Sequence, residues 1–412
     1  TSNRCVVCVF CYMPPIQTLI ISRQILWFVT KKYIILILAA VGVGAIVGTI
    51  ESFFKILVNQ ANWYRVQFMP YIFLLIPFAG ILILLAQSQL KEKNGMDVVF
   101  KAEKNENSSL SLKNACFVLV SCLISHFCGV STGRAGVSMQ MGAAISKHFC
   151  NRMNVIEYVI PMGVAAAFSG LFCCPITSTV FACEVFNTKK FQYKAIIPCL
   201  ISSSTATLCA ALFGFHRVSY VFQYSFAVEI KSIIKLLILI LCLTLIGKAF
   251  AFSLNSLKKF INEKLPNNKY RIIILSLMIM MFMIFTQGRY SGSGENLIED
   301  VFINGNVLKG DILFKFILTL LSAAAGFYGG EVTPLFSIGA LSGYMLGHIL
   351  GFPVFFCSAL GYGTVFMSAT NVYLTGMVLI LEVFGLDFLL PCLIIGIIGY
   401  LSNCTVSIYP SR

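Results

Sequence analysis

Apolar residues run through the chain in long blocks. The first two, 33–59 and 69–88, read as helices long enough to span a bilayer, which takes roughly 20 apolar residues. Trp63 and Tyr64 lie between them, as aromatics do at a membrane interface. Residues 89–114 are polar and charged, and 115–128 turn apolar again. Residues 155–188 form two apolar pieces parted at Cys174-Pro175. Residues 195–214, 232–252 and 272–287 read as further crossings, and 288–311 as a polar loop with Ser291-Gly292-Ser293-Gly294-Glu295-Asn296. The later blocks are short and broken by Gly, Pro and Ser. Non-helical backbone at membrane depth is tolerated only inside protein or along a cavity. The pattern therefore predicts a transport protein rather than a simple anchor.

Composition points the same way. The chain is 58% hydrophobic and 11% charged, with mean hydropathy +0.87, whereas soluble domains carry about 25% charged residues. The expected class is an all-α polytopic membrane protein of tilted and broken transmembrane helices. The net charge of +14 does not signal a nucleic-acid partner, because the basic residues sit in loop clusters. These are Arg23 with Lys31 and Lys32; Lys91, Lys93, Lys101 and Lys104; Lys189, Lys190 and Lys194; and Lys258, Lys259, Lys264, Lys269 and Arg271. The positive-inside rule puts these loops, and the N-terminus, in the cytoplasm. Most of the sixteen cysteines lie in apolar segments and read as small hydrophobes. Cys5, Cys8 and Cys11 lack the fourth thiolate that a cluster needs, so neither a metal nor a cofactor is expected. His126, His148, His216 and His348 form no cluster, and no nucleophile motif appears, which leaves little for a membrane enzyme. The first dozen residues make no signal peptide.

The chemistry concentrates at Gly133-Arg134-Ala135-Gly136-Val137-Ser138. Two glycines flank an arginine where a loop runs into an apolar helix. Such a start offers free N–H groups and the positive end of the helix dipole, which bind anions. Tight helix packing through small residues is the competing explanation. The second half repeats the pattern at Gly330-Glu331-Val332-Thr333-Pro334. Gly142-Ala143 matches Gly339-Ala340 at an offset of 197 positions. Phe168 matches Phe366, and Glu184-Val185-Phe186 matches Glu382-Val383-Phe384, both at an offset of 198. The loop before the first copy is basic and that before the second mostly acidic, so the copies face opposite sides. This is an inverted repeat of the transporter kind: 1–32 is a short N-terminal cytoplasmic segment, 33–215 the first half, 216–229 a connecting loop and 230–412 the second half.

These residues resemble the CLC family of voltage-gated chloride channels and anion/proton antiporters, from about residue 33 to 412. Gly133 to Gly136, Gly330 to Pro334, and Ala165 to Glu184 with its break at Pro175 carry the resemblance. Met96 after Gly95 and the Gly330 motif resemble the fluoride-transporting branch. The resemblance implies a homodimer with one pore per subunit and no soluble C-terminal regulatory domain. It implies an anion site of helix-start amides at Arg134, Ala135 and Gly136 and at Glu331, Val332 and Thr333, with the Tyr409 hydroxyl and with Met96 at the inner mouth. The ion would be chloride or fluoride, and the setting the plasma membrane of a prokaryote. Departures from the family are equally specific. The gating glutamate falls at Ala135, the inner proton-relay glutamate of the exchangers at Val185, and the ion-facing phenylalanines of the fluoride branch at Asp97 and Ser337. Glu184 and Glu382 are expected to cap or pair rather than to relay protons. Passive or uncoupled anion transport follows. The alternatives are a non-conducting, degenerate member of the family or, if the alanine is an introduced change, a proton-coupled fluoride exporter.

Overall fold

The computed structural model describes residues 15–90, 95–104, 110–186, 191–217, 220, 229–402 and 406–409, with 15–30 described as backbone only. Cys5, Cys8, Cys11, Lys91, Lys93, Lys189, Lys190 and most of the 216–229 connector lie outside the described residues. The regular structure of the described residues is helical, apart from a single bridge between two loops. The chain begins with α1 (Pro15–Gln67), a 3-10 turn (Tyr71–Leu75) and α2 (Ile76–Ser88). Then come α3 (Met96–Glu103), α4 (Leu112–Cys128), α5 (Ala135–Arg152), α6 (Val159–Phe172), α7 (Pro175–Glu184) and α8 (Ile196–Leu212). The second run is α9 (Ile230–Lys264), α10 (Asn268–Phe285), α11 (Glu295–Glu299), α12 (Asp311–Ala325), α13 (Val332–Leu350), α14 (Val354–Thr370), α15 (Tyr373–Phe384) and α16 (Leu389–Leu401).

Among the described residues, five stretches are long and apolar enough to cross a membrane: 31–67, 71–88, 193–212, 230–264 and 268–285. The first helix starts well before residue 33, because no Gly or Pro interrupts it after Pro15 until Gly42. The polar loop 288–311 is likewise not all loop. Gly294, at φ 88°, starts α11, where Leu297 and Ile298 are buried, and Val301 is buried in the helical turn that follows, Asp300–Asn304.

Two pairs of helices pack backbone to backbone. A Cβ on Gly142 of α5 would lie 2.3 Å from the Gly163 carbonyl of α6, and one on Gly339 of α13 would lie 2.2 Å from the Gly361 carbonyl of α14. Glycine there is a packing requirement, as in membrane bundles where dispersion replaces the hydrophobic effect. Each pair then breaks the same way. Cys173 (φ 55°) ends α6 and Asn371 (φ 58°) ends α14, both left-handed, and α7 and α15 follow. Pro175 supports the first break at its N1 position, where a missing N–H costs nothing. The second break has no proline and relies on Asn371, a residue that tolerates the left-handed region.

The short helices cap each other across the repeat. Glu184, at the end of α7, accepts from Leu374 N (3.0 Å), Thr375 N (2.8 Å) and Thr375 Oγ1 (2.6 Å) at the start of α15. Glu382, on α15, accepts from Ile176 N (3.2 Å), Thr177 N (2.7 Å) and Thr177 Oγ1 (2.6 Å) at the start of α7. Each carboxylate thus satisfies orphan N–H groups and meets the positive end of a helix dipole.

Candidate functional site

The starts of α5 and α13 meet. Gly129 closes α4 at φ 87° and Gly326 closes α12 at φ 97°. Each left-handed turn sends a loop of the same length to Gly133 or Gly330. There the loops pair: Gly133 N donates to Gly330 O at 2.6 Å and Gly330 N to Gly133 O at 2.9 Å. A Cβ on Gly330 would lie 2.5 Å from Gly136 N and 3.3 Å from Ala135 N. Only glycine allows this approach.

Neither helix start is capped by its own side chain. Arg134 and Glu331 hold the N-cap positions and make no capping hydrogen bond. Opposite charges draw them away instead. Arg134 Nη2 pairs with Glu295 Oε1 at 2.8 Å, and Lys258 Nζ lies 3.6 Å from Glu331 Oε1. The first amides of both helices stay available, with two dipole ends directed at one place. Arg134 is buried, and its Nε and Nη1 have no partner among the described residues; nor does the buried Thr333 Oγ1.

A third helix begins beside them. Gly95, at φ 101°, starts α3, and its N–H donates to Gln140 Oε1 on α5 at 3.0 Å. Met96 follows, with its Cγ 4.0 Å from where a Gly136 Cβ would stand. Phe100, one turn further along α3, packs against Tyr409 with ring centroids 5.5 Å apart. Ile408 N donates to Ala369 O at 2.9 Å and anchors the segment carrying that buried tyrosine. Met96, Arg134, Ala135, Gly136 and Glu331 therefore meet around the Gly133–Gly330 bridge. Val332 and Thr333 form the first turn of α13, and Tyr409 joins through α3. Ala135 is buried and offers only a methyl group. Asp97 is exposed, and Ser337 turns its hydroxyl back to Pro334 O at 2.9 Å.

Two charged residues near this place escaped the reading of the sequence. Lys315 of α12 is fully buried behind the Gly133 loop and donates to Ser131 Oγ (3.0 Å), Gly292 O (2.8 Å) and Tyr290 O (3.2 Å). Glu51 of α1 is fully buried and accepts from Ser138 Oγ of α5 at 2.9 Å. The signal was a lone ionisable residue inside an apolar helical run, which is costly in a membrane and so tends to serve a purpose.

The sequence model of a family described as voltage gated chloride channel matches residues 78–403. The chain is 26% identical over 395 residues to a chloride/fluoride channel protein of Pseudomonas syringae pv. tomato, covering 92% of this chain and 87% of that one. It is 24% identical over 294 residues to an H(+)/Cl(-) exchange transporter of Vibrio campbellii, covering 66% of this chain and 62% of that one. The crystal structure of a CLC-type fluoride/proton antiporter superposes with TM-score 0.88 at 34% identity, over 92% of this chain and 97% of that one. A slow cyanobacterial Cl-/H+ antiporter superposes with TM-score 0.77 at 19% identity, over 89% and 94% of the two chains, and shares the fold.

Proposed function

The chain belongs to the voltage-gated chloride channel family, an integral-membrane family of anion transport proteins, and from that premise we propose that it moves chloride or fluoride passively, without proton exchange. The observation that carries the reading is the meeting of two uncapped helix starts at Gly133–Gly330 with alanine, not a carboxylate, at 135. Amides at 134–136 and 331–333 replace part of the ion's hydration shell through dipoles rather than a full charge, so the ion is held and still released. Met96 and Tyr409 form the inner end of this site. A carboxylate at 135 would compete with the anion and carry protons; a methyl group does neither. The buried Val185 likewise holds no proton for a relay.

Fluoride is favoured over chloride by two observations. The 34% identical structure is described as a fluoride/proton antiporter, and a thioether offers chloride no hydrogen-bond donor. The bacterial relatives and the loop charges support a prokaryotic plasma membrane with the N-terminus in the cytoplasm. The halves at 33–215 and 230–412 would each supply one helix start.

Liposomes holding the purified chain test the reading, with fluoride efflux, chloride efflux and proton uptake recorded together. Efflux of either ion without anion-driven proton uptake is expected. Tight proton coupling would restore the antiport mechanism, and no flux of either ion would favour a non-conducting relative.

A further inference from the structure

A cavity of about 270 Å³ lies beside the anion site, between the end of α2 and the start of α10. Gln87, Lys258, Asn268 and Arg271 line its mouth, and the 325–331 loop with Thr132 lines its depth. Two buried donors in its wall have no partner among the described residues: Arg271 Nε and Thr132 Oγ1. Arg271 Nη1 donates to Asn262 Oδ1, which steadies the guanidinium without using Nε. Lys258 is loosely tied at 3.6 Å to Glu331, the one carboxylate in the lining. Two cations, two amides and the unpartnered Thr132 hydroxyl thus line a space with one acid. Buried polar groups left unpaired are costly, and a native site that keeps them calls for an occupant.

We infer that this cavity binds a phosphate group, the head group of an anionic phospholipid or a free phosphate. A planar guanidinium with a spare N–H, next to an ammonium, is chemistry suited to phosphate oxygens. The position favours the lipid as the source. α2 and α10 pack together, with Ile272 only 3.0 Å from a Cβ on Gly80. Both present exposed apolar side chains outward beside the mouth, Leu82 and Leu85 on α2 and Tyr270 and Ile274 on α10. Acyl chains can lie along these faces while the head group enters between them. The positive-inside rule puts this end at the cytoplasmic leaflet, where basic pockets between helices hold anionic head groups. An occupant would compete with Glu331 for Lys258 and contact the loop that opens α13. Binding itself does not depend on which ion is carried.

The test reads the Tm of the full purified chain in neutral detergent during titration with phosphatidylglycerol, phosphatidylcholine or inorganic phosphate. A ligand that binds only the folded chain raises Tm by an amount that grows with the logarithm of its concentration over Kd. Phosphatidylglycerol should raise it and phosphatidylcholine should not. Arg271→Gln should weaken the apparent affinity about tenfold, the scale of a lost charge-assisted hydrogen bond. Arg271→Lys should recover part of the response, and Lys309→Gln, on the far loop, should leave it intact. An Arg271-dependent response to inorganic phosphate as large as that to the lipid would support the site and assign it to soluble phosphate. Failure of every phosphate-bearing probe to raise Tm, or a rise indifferent to Arg271, would overturn the proposal.

Discussion

A carboxylate at position 135 would stand at a helix start and within reach of a second, where both dipoles attract negative charge. Ala135→Glu should therefore fill the site itself and suppress anion flux at neutral pH. Acid should protonate the new group and restore flux, because a neutral acid gains little from the dipoles. Paired efflux and proton-uptake traces across pH check this, and flux indifferent to pH in the variant would place residue 135 off the anion path. Gly330→Ala tests the same place from the opposite helix. Its methyl would press 2.5 Å from Gly136 N, so it must push the two starts apart. Losing one amide contact to an anion costs about 1.5–3 kcal/mol, a roughly 10- to 100-fold loss of affinity measurable by anion titration. At the inner mouth, Met96→Ser introduces a hydroxyl donor and should raise chloride permeability relative to fluoride; an unchanged ratio in bi-ionic flux measurements would remove Met96 from the site.

Among the elements, the reciprocal caps give the break its stiffness. Glu184→Gln should keep the shape but lose the charge at the α15 start, and Glu382→Gln should do the same at the α7 start. Each N-cap is worth ~1–2 kcal/mol, so each variant should melt at lower temperature than the parent chain with flux largely retained; a Tm unmoved by either change would deny the caps a stabilising role. The roles of these two carboxylates were legible because they occur at matching places in the repeat, at the ends of helices. The break at Pro175 was legible for the same kind of reason, since proline is a local signal. Its counterpart at Asn371 was not, because nothing near it distinguishes a left-handed asparagine from a surface one. The convergence of Gly133 on Gly330 was half legible. The two motifs matched, but the bridge that joins them is a long-range contact, and it depends on Gly129 and Gly326 turning two loops toward each other. Lys315 and Glu51 went unread because their partners, Ser131 with the 290–292 carbonyls and Ser138, are distant in sequence.

At the scale of the whole molecule, α8 and α16 turn apolar side chains outward: Ile197, Leu200, Leu208 and Leu212 on one, Leu389, Leu393, Ile397 and Tyr400 on the other. Lipid alone can cover such a face, yet a second copy packs it more closely, and homo-oligomers most often pair about a two-fold axis. A homodimer joined along this seam is the expected assembly. Every residue of the candidate site, Met96, 134–136, 331–333 and Tyr409, comes from one chain, so each copy of the dimer would hold a complete path. Two measurements then bear on one assembly. Cross-linking in membranes should yield a two-chain species, and monomer alone would count against the seam. Co-expression of the parent chain with Gly330→Ala, followed by purification of the mixed dimers, should give anion flux that falls in direct proportion to the variant fraction, because an impaired copy leaves its neighbour untouched. A steeper fall would mean that the two copies share one path, and would move the site from within the chain to the interface between chains.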